Sequence, residues 1–185
     1  MKSPVVPGAH DPLPRNHGRV SLRRLVAADL SAFQAYRHDE KVGQYQSWDP
    51  MSDRDASAFI AGMSNAALFP RGRWVQIGIA DVGTGMLIGD LGICVSPDGG
   101  AAEIGVTLDR AAQGKGFAAD ALRAVIELIF DHAGVARISA AADARNVPAV
   151  RLLERVGMQR VETVAAMFRG QPCVEHIYEL LSDRR

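Results

Sequence analysis

Gln113-Gly114-Lys115-Gly116-Phe117-Ala118 lies between a strand-like run, Ala101 to Asp109, and a helical pattern from about Lys115 to His132. Small residues at a strand-to-helix turn let a ligand come close to the backbone. The start of the helix adds unpaired N–H groups and a positive dipole, a combination that suits phosphate. The plain alternative is a connector that needs glycine only for its geometry. A Walker A loop requires glycine where Asp109 stands and Ser or Thr where Gly116 stands, so that reading fails. Gly114, Gly116 and Ala119 fit the GxGxxA dinucleotide fingerprint. Here, however, three antiparallel strands precede the motif, and the acidic residue closing the next strand, Asp143, comes too late.

Working outward, the segments before the turn alternate with period two: Trp74 to Val82, Met86 to Val95 and Ala101 to Asp109. Gly83-Thr84-Gly85 and Ser96-Pro97-Asp98-Gly99-Gly100 separate them with turn chemistry, which predicts a three-strand antiparallel meander. Upstream, Val20 to Val26 reads as a strand and Ala28 to His38 as a helix. A second helix is expected after the N-cap Ser52, with Ala56, Phe59, Ile60, Met63 and Ala67 along one face. Beyond the turn, Leu122, Val125, Ile126 and Ile129 form the buried stripe of the long helix, which Gly134 ends. Arg137 to Ala142 reads as a strand, and Pro148 sits in the first turn of a helix with Val150, Leu153 and Val156 inward. Strands around Met158 to Met167 and Cys173 to Leu181 finish the chain. The fold class is α/β, with a mixed, mostly antiparallel sheet of about seven strands and about four helices. The crossover from Ala101 to Ala142 makes part of it parallel.

A chain of 185 residues with 48 % hydrophobic and 23 % charged residues supports one core without disulfide or metal. Equal numbers of basic and acidic residues, 21 each, exclude a general basic coat for nucleic acid or anionic lipid. Cys94 and Cys173 are too far apart for a zinc site and read as buried thiols, and the five histidines form no metal-binding pattern. No apolar run approaches the roughly 18 residues of a membrane span. The proline-rich start lacks a signal core, so residues 1–18 are expected to be a flexible leader, 19–185 one domain, and the protein cytoplasmic.

Several motifs occur together in order. Gln113-x-x-Gly116-x-Ala118 resembles the acetyl-CoA loop of the GNAT N-acetyltransferase superfamily. Glu103-Ile104-Gly105-Val106-Thr107-Leu108 resembles its central strand. Asn146-Val147-Pro148-Ala149 through Glu154-Arg155-Val156-Gly157-Met158 resembles the segment after the next strand, and Tyr45-Gln46-Ser47-Trp48-Asp49-Pro50 resembles the RimJ/RimL-like branch.

The resemblance implies a single-domain GNAT fold whose sheet splays at the central strand, and transfer of the acetyl group from acetyl-CoA to an amine. The acceptor would be a protein N-terminus or a small molecule, without metal, nucleic acid or membrane, in a monomer or homodimer. It implies that backbone N–H groups of Gly114, Lys115, Gly116, Phe117 and Ala118 hold the pyrophosphate, with Gln113 also binding the cofactor, and that Val106, Thr107 and Leu108 pair with the pantetheine arm. Asn146 would contact the same arm, although the residue also reads as a helix N-cap. Tyr45, Gln46 and Trp48 would border the acceptor, Trp48 serving equally well as core.

Amine attack on a thioester calls for a base. Glu103 is the first candidate, against an exposed strand glutamate; Asp90, out of character inside a strand, is the second. Ala149 stands where the family often has serine, so the hydroxyl that protonates the departing thiolate is missing from its usual place. Water, the substrate or a distant tyrosine such as Tyr178 would have to replace it. The alternative function is an acyl-CoA-binding sensor with little turnover, and further behind, a dinucleotide-binding protein.

Overall fold

The three period-two runs form the expected meander: β3 (Trp74–Asp81), β4 (Leu87–Val95) and β5 (Ala101–Leu108) pair antiparallel, with one register shift between Ile79 and Ala80 of β3. They are the centre of one eight-stranded sheet in the computed structural model, which describes residues 11–182. On one side lie β1 (Arg15–His17) and β2 (Val20–Arg23). On the other come β6 (Arg137–Asp143), β8 (Gln171–Leu181) and, at the edge, β7 (Gln159–Phe168), in the order β1-β2-β3-β4-β5-β6-β8-β7. The helices are α1 (Leu30–Arg37), α2 (Glu40–Gly43), α3 (Asp53–Asn65), α4 (Phe117–His132) and α5 (Val147–Arg155).

Against the sequence expectation there is one more strand and one more helix. Residues 1–10 of the expected leader lie outside the described residues, but Arg15–His17 already pairs with β2 and Leu13 is buried in the core. The one-turn α2 is opened by the Asp39 side chain, which accepts from Lys41 N.

The α4 stripe behaves as its spacing predicts. Leu122, Val125, Ile126 and Ile129 are buried in one cluster with Leu22, Ile77, Leu91 and Ile104 of the sheet. Each such side chain, fully buried, stabilises the fold by about 1.5–3 kcal/mol. A second cluster joins Phe33, Tyr36 and Ile60 of α1 and α3 to Leu25 and Leu87. β4 serves both clusters, Leu91 and Ile93 joining the first and Leu87 the second, because the register shifts between the pairs Ile79–Gly89 and Ala80–Leu87 and turns Leu87 to the other face. Alternation beyond that irregularity turns Asp90 to Tyr36 on α1.

The positioning feature is the junction of β5 and β6. These strands run parallel and pair at only three positions, Ala101 to Glu103 with Arg137 to Ser139. Beyond Glu103 the pairing stops while β5 continues to Leu108. Asp109 N donates to Ile88 O at 2.8 Å, so the backbone groups of Thr107 also face β4 while those of Val106 and Leu108 face the gap. The sheet therefore splays at its central strand.

Candidate active site

Two cavities meet in this splay. The larger, about 690 Å³, runs along the free edge of β5 at Val106 and Leu108 to the start of α4. Gly114 and Gly116 take positive φ, 72° and 90°, and Gly116 caps α4, so the turn is built from backbone that other residues adopt only with strain. Gln113, Gly114, Gly116 and Ala118 line this cavity. The lining also carries Lys41, Arg145, Arg151 and Arg155, and no carboxylate among the described residues. The sequence reading missed these cations, although Arg151 and Arg155, four apart on α5, share a helix face. Lys115 and Phe117 are absent from both linings: Arg19 donates to the Lys115 backbone carbonyl, and its guanidinium stacks 4.7 Å from the Phe117 ring.

The smaller cavity, about 350 Å³, has the opposite charge. Glu103, Asp143 and Glu175 line it, with no Lys, Arg or His among the described residues, and Trp74 and Phe168 add aromatic surface. Glu103 is exposed at the cavity rim, yet enclosed enough that burial, and then the neighbouring charge of Glu175, raises its pKa. A raised carboxylate is a stronger base once ionised. Glu175 arrives on β8, opposite Asp143 across the β6–β8 ladder, a relation no sequence motif announces. Hydrogen bonds from Arg145 hold the Asp143 carboxyl below its usual range, at 2.9 Å from Nε and 2.6 Å from Nη2.

Tyr45, Gln46, Val106, Asn146, Ala149 and Leu152 belong to both linings and form the wall where the cavities join. The Gln46 amide donates to Val106 O at 3.2 Å and the Gln113 amide to Leu108 O at 3.0 Å, so both side chains reach the free strand edge. Asn146 caps α5, its Oδ1 accepting from Ala149 N at 3.3 Å, and stands on the shared wall as well.

The remaining candidates lie apart. Thr107 lines neither cavity; its Oγ1 accepts from Trp48 Nε1 at 3.4 Å. Trp48 backs the wall rather than lining it, stacked 4.5 Å from the Arg37 guanidinium. Asp90 is 2 % exposed and outside both cavities; Arg37 Nη2 donates to it at 2.9 and 2.7 Å and the Tyr36 hydroxyl at 2.6 Å. Tyr178 is buried, and its hydroxyl donates to Glu154 at 3.2 Å. Of the three tyrosines, only Tyr45 reaches the cavities. Among the described residues no group of His, Cys, Asp and Glu is disposed to hold a metal, and no helix is long and apolar enough to cross a membrane.

Comparison with known proteins bears on the same region. Residues 19–159 match the family model described as acetyltransferase (GNAT) domain. The uncharacterized N-acetyltransferase p20 of Bacillus licheniformis is 29 % identical over 143 residues, 77 % of this chain and 80 % of that protein. Among solved structures, an acetyltransferase of the GNAT family from Bacillus anthracis superposes with a TM-score of 0.80 at 21 % identity, over 90 % of this chain and 97 % of that one. RimL, a ribosomal L7/L12 alpha-N-protein acetyltransferase solved with coenzyme A, gives a TM-score of 0.76 at 17 % identity, over 90 % and 96 %. The overall fold is thus shared with these structures, and the family match covers the β5 strand, the glycine turn and the Asn146 helix together: the chain belongs to the GNAT family of acetyltransferases.

Proposed function

We propose that the protein transfers the acetyl group of acetyl-CoA to a primary amine. The observation that carries this reading is a pair of joined cavities of opposite charge, cationic beside a helix N-terminus and anionic beside the splayed strand. A pyrophosphate suits the first, where the N–H groups opening α4 and the cations of α5 converge. An ammonium suits the second. Acetyl-CoA supplies the activated acetyl thioester at the shared wall.

Glu103 takes the proton that the amine must lose, directly or through a water. The Val106 N–H points into the gap and is the donor for negative charge developing on the carbonyl oxygen. As the C–N bond forms and the C–S bond breaks, Tyr45 hands its proton to the departing sulfur and recovers one from solvent. This assigns the hydroxyl missing at Ala149 to another residue that lines both cavities. A binding-only sensor has no use for a basic carboxylate in the second cavity.

The direct test mixes protein, acetyl-CoA and a panel of primary amines and follows release of free thiol, alongside thermal melts. Acetyl-CoA at about a hundredfold above its dissociation constant should stabilise by roughly 2.7 kcal/mol, and NADH should not. Equal stabilisation by NADH defeats the cofactor assignment. Binding without thiol release on any amine favours the sensor.

A further inference from the structure

The turn that closes the β7–β8 hairpin reaches across the molecule. Arg169 and Gly170 both take positive φ, 48° and 76°, in a two-residue connection between Phe168 and its partner Gln171. Arginine is strained there, where Asn or Gly would sit without cost, and strain at a non-glycine residue calls for a reason. Its guanidinium supplies one. Arg169 Nη2 donates to Gln46 O at 3.3 Å and Trp48 O at 3.0 Å, and lies 3.4 Å from Asp49 Oδ1.

This bridge joins the two sides of the acceptor cavity. Phe168, next to the bridge, lines it from the hairpin, and Tyr45 and Gln46 line it from the loop after α2. That loop is anchored from beneath, by Gln46 on Val106 O and by Trp48 on Thr107 and Arg37. β7 is the sheet edge and mostly exposed, so few other contacts steady the hairpin tip against the loop. A cavity of about 350 Å³ is at the lower end for small-molecule sites.

We propose that Arg169 is a specificity-determining residue. It latches the hairpin tip to the 46–49 loop, encloses the acceptor cavity on that side, and restricts acceptors to small amines rather than polypeptide N-termini. This rests on the transferase reading above. A polypeptide approaching between Phe168 and Gln46 meets the latch; a small amine fits beneath it.

The test is Arg169→Asn, which leaves an Asn-Gly turn well suited to two positive φ values, so the hairpin is preserved and only the guanidinium is lost. Thiol release is measured with butylamine and with tetraalanine amide. Wild type should favour butylamine, and in Arg169→Asn the peptide-to-butylamine ratio of kcat/KM should rise by about tenfold or more, a typical size for relief of a steric discrimination. Arg169→Lys, which keeps one charged donor, should fall between. Amide exchange of residues 44–50 should quicken in Arg169→Asn while that of β4 stays unchanged. A ratio that does not move, unchanged exchange at 44–50, or a wild type that takes the peptide as readily as butylamine overturns the latch. Thiol release from neither amine in wild type instead removes the reading on which the latch rests.

Discussion

Replacing Asp90 with Asn separates the two carboxylates that the sequence offers as bases. Asp90 and Arg37 are 2 % and 3 % exposed in their side chains, at 2.7 Å separation, with the Tyr36 hydroxyl also donating to the carboxylate. Burial, and next the Asp90 charge, pushes the Tyr36 phenol far up, so Tyr36 stays a donor across the working range. Arg37 already has a buried Nε without a partner. With Asn at position 90, one amide oxygen must serve both Arg37 and Tyr36, and the guanidinium is left as an uncompensated buried cation. Breaking a buried pair this way costs about 3–5 kcal/mol. At roughly 2–4 °C per kcal/mol for a domain of this size, the melting temperature should fall by about 6–20 °C. Adding Arg37→Met removes the stranded charge and should restore much of the loss. Recovery should be incomplete, because Arg37 stacks on Phe33 at 4.8 Å and Trp48 at 4.5 Å. The assay is thermal unfolding by circular dichroism for both variants, with thiol release on folded protein. An Asp90→Asn variant that melts as wild type does yet loses transfer, while Glu103→Gln retains it, would refute the structural role and make Asp90 the base.

The other expectations concern the cavities themselves. Glu103→Gln should lower kcat by about 10²–10⁴ with acetyl-CoA affinity unchanged. Wild-type activity should rise with pH through a value above the ordinary glutamate range, because the Glu103 pKa is raised. The sign for stability is opposite to that of a salt-bridged carboxylate: a raised folded pKa means ionised Glu103 opposes folding above its unfolded pKa, an effect relieved as pH falls through the folded value. Glu103→Gln should therefore melt at or slightly above wild type at pH 7, and a clear drop would argue against this environment. Tyr45→Phe should lower kcat without moving that acid limb; an unchanged kcat returns the leaving-group proton to water. Gly114→Glu should fold with a modest penalty from its positive φ, since nothing lies within 4 Å of a Cβ there, yet lose stabilisation by acetyl-CoA. Retained stabilisation would reduce the turn to a connector.

Period and punctuation carried most of the fold. The meander, the α4 stripe and the Ser52 cap, whose hydroxyl accepts from Asp55 N, all follow from local rules. β1 escaped because Arg15-Asn16-His17 has little strand preference and is held by pairing with β2 across Gly18. In the site, the glycine turn and Asn146 were legible because helix starts and caps are local. Asp90 was not, because its partner Arg37 lies 53 positions away and an aspartate in a strand looks the same whether it is catalytic or ion-paired. Glu175 and Arg169 were invisible for a related reason: their meaning comes from ladder pairing and from a contact spanning 121 residues to Trp48.

A chain with no net charge nonetheless carries two charged cavities, and the fold explains how. The cations come from α2 and from the α5 segment, the carboxylates from β5, β6 and β8, and the splay sets the two groups on different sides of one wall. Whole-molecule charge does not steer a reactant into either cavity, because at physiological salt fields fade over about 8 Å. Local charge would do so over the few ångströms that matter. The bidentate Arg145–Asp143 pair stands at the seam, its cation on one lining and its anion on the other. Had the carboxylates been spread into the larger cavity, they would repel a pyrophosphate. Had cations entered the smaller one, they would repel an ammonium and stabilise Glu103 as the weaker base. On the proposed function, separation of charge by the splayed strand is therefore what would let a polyanion and a cation be held together at one wall, and it requires no excess of either sign in the sequence.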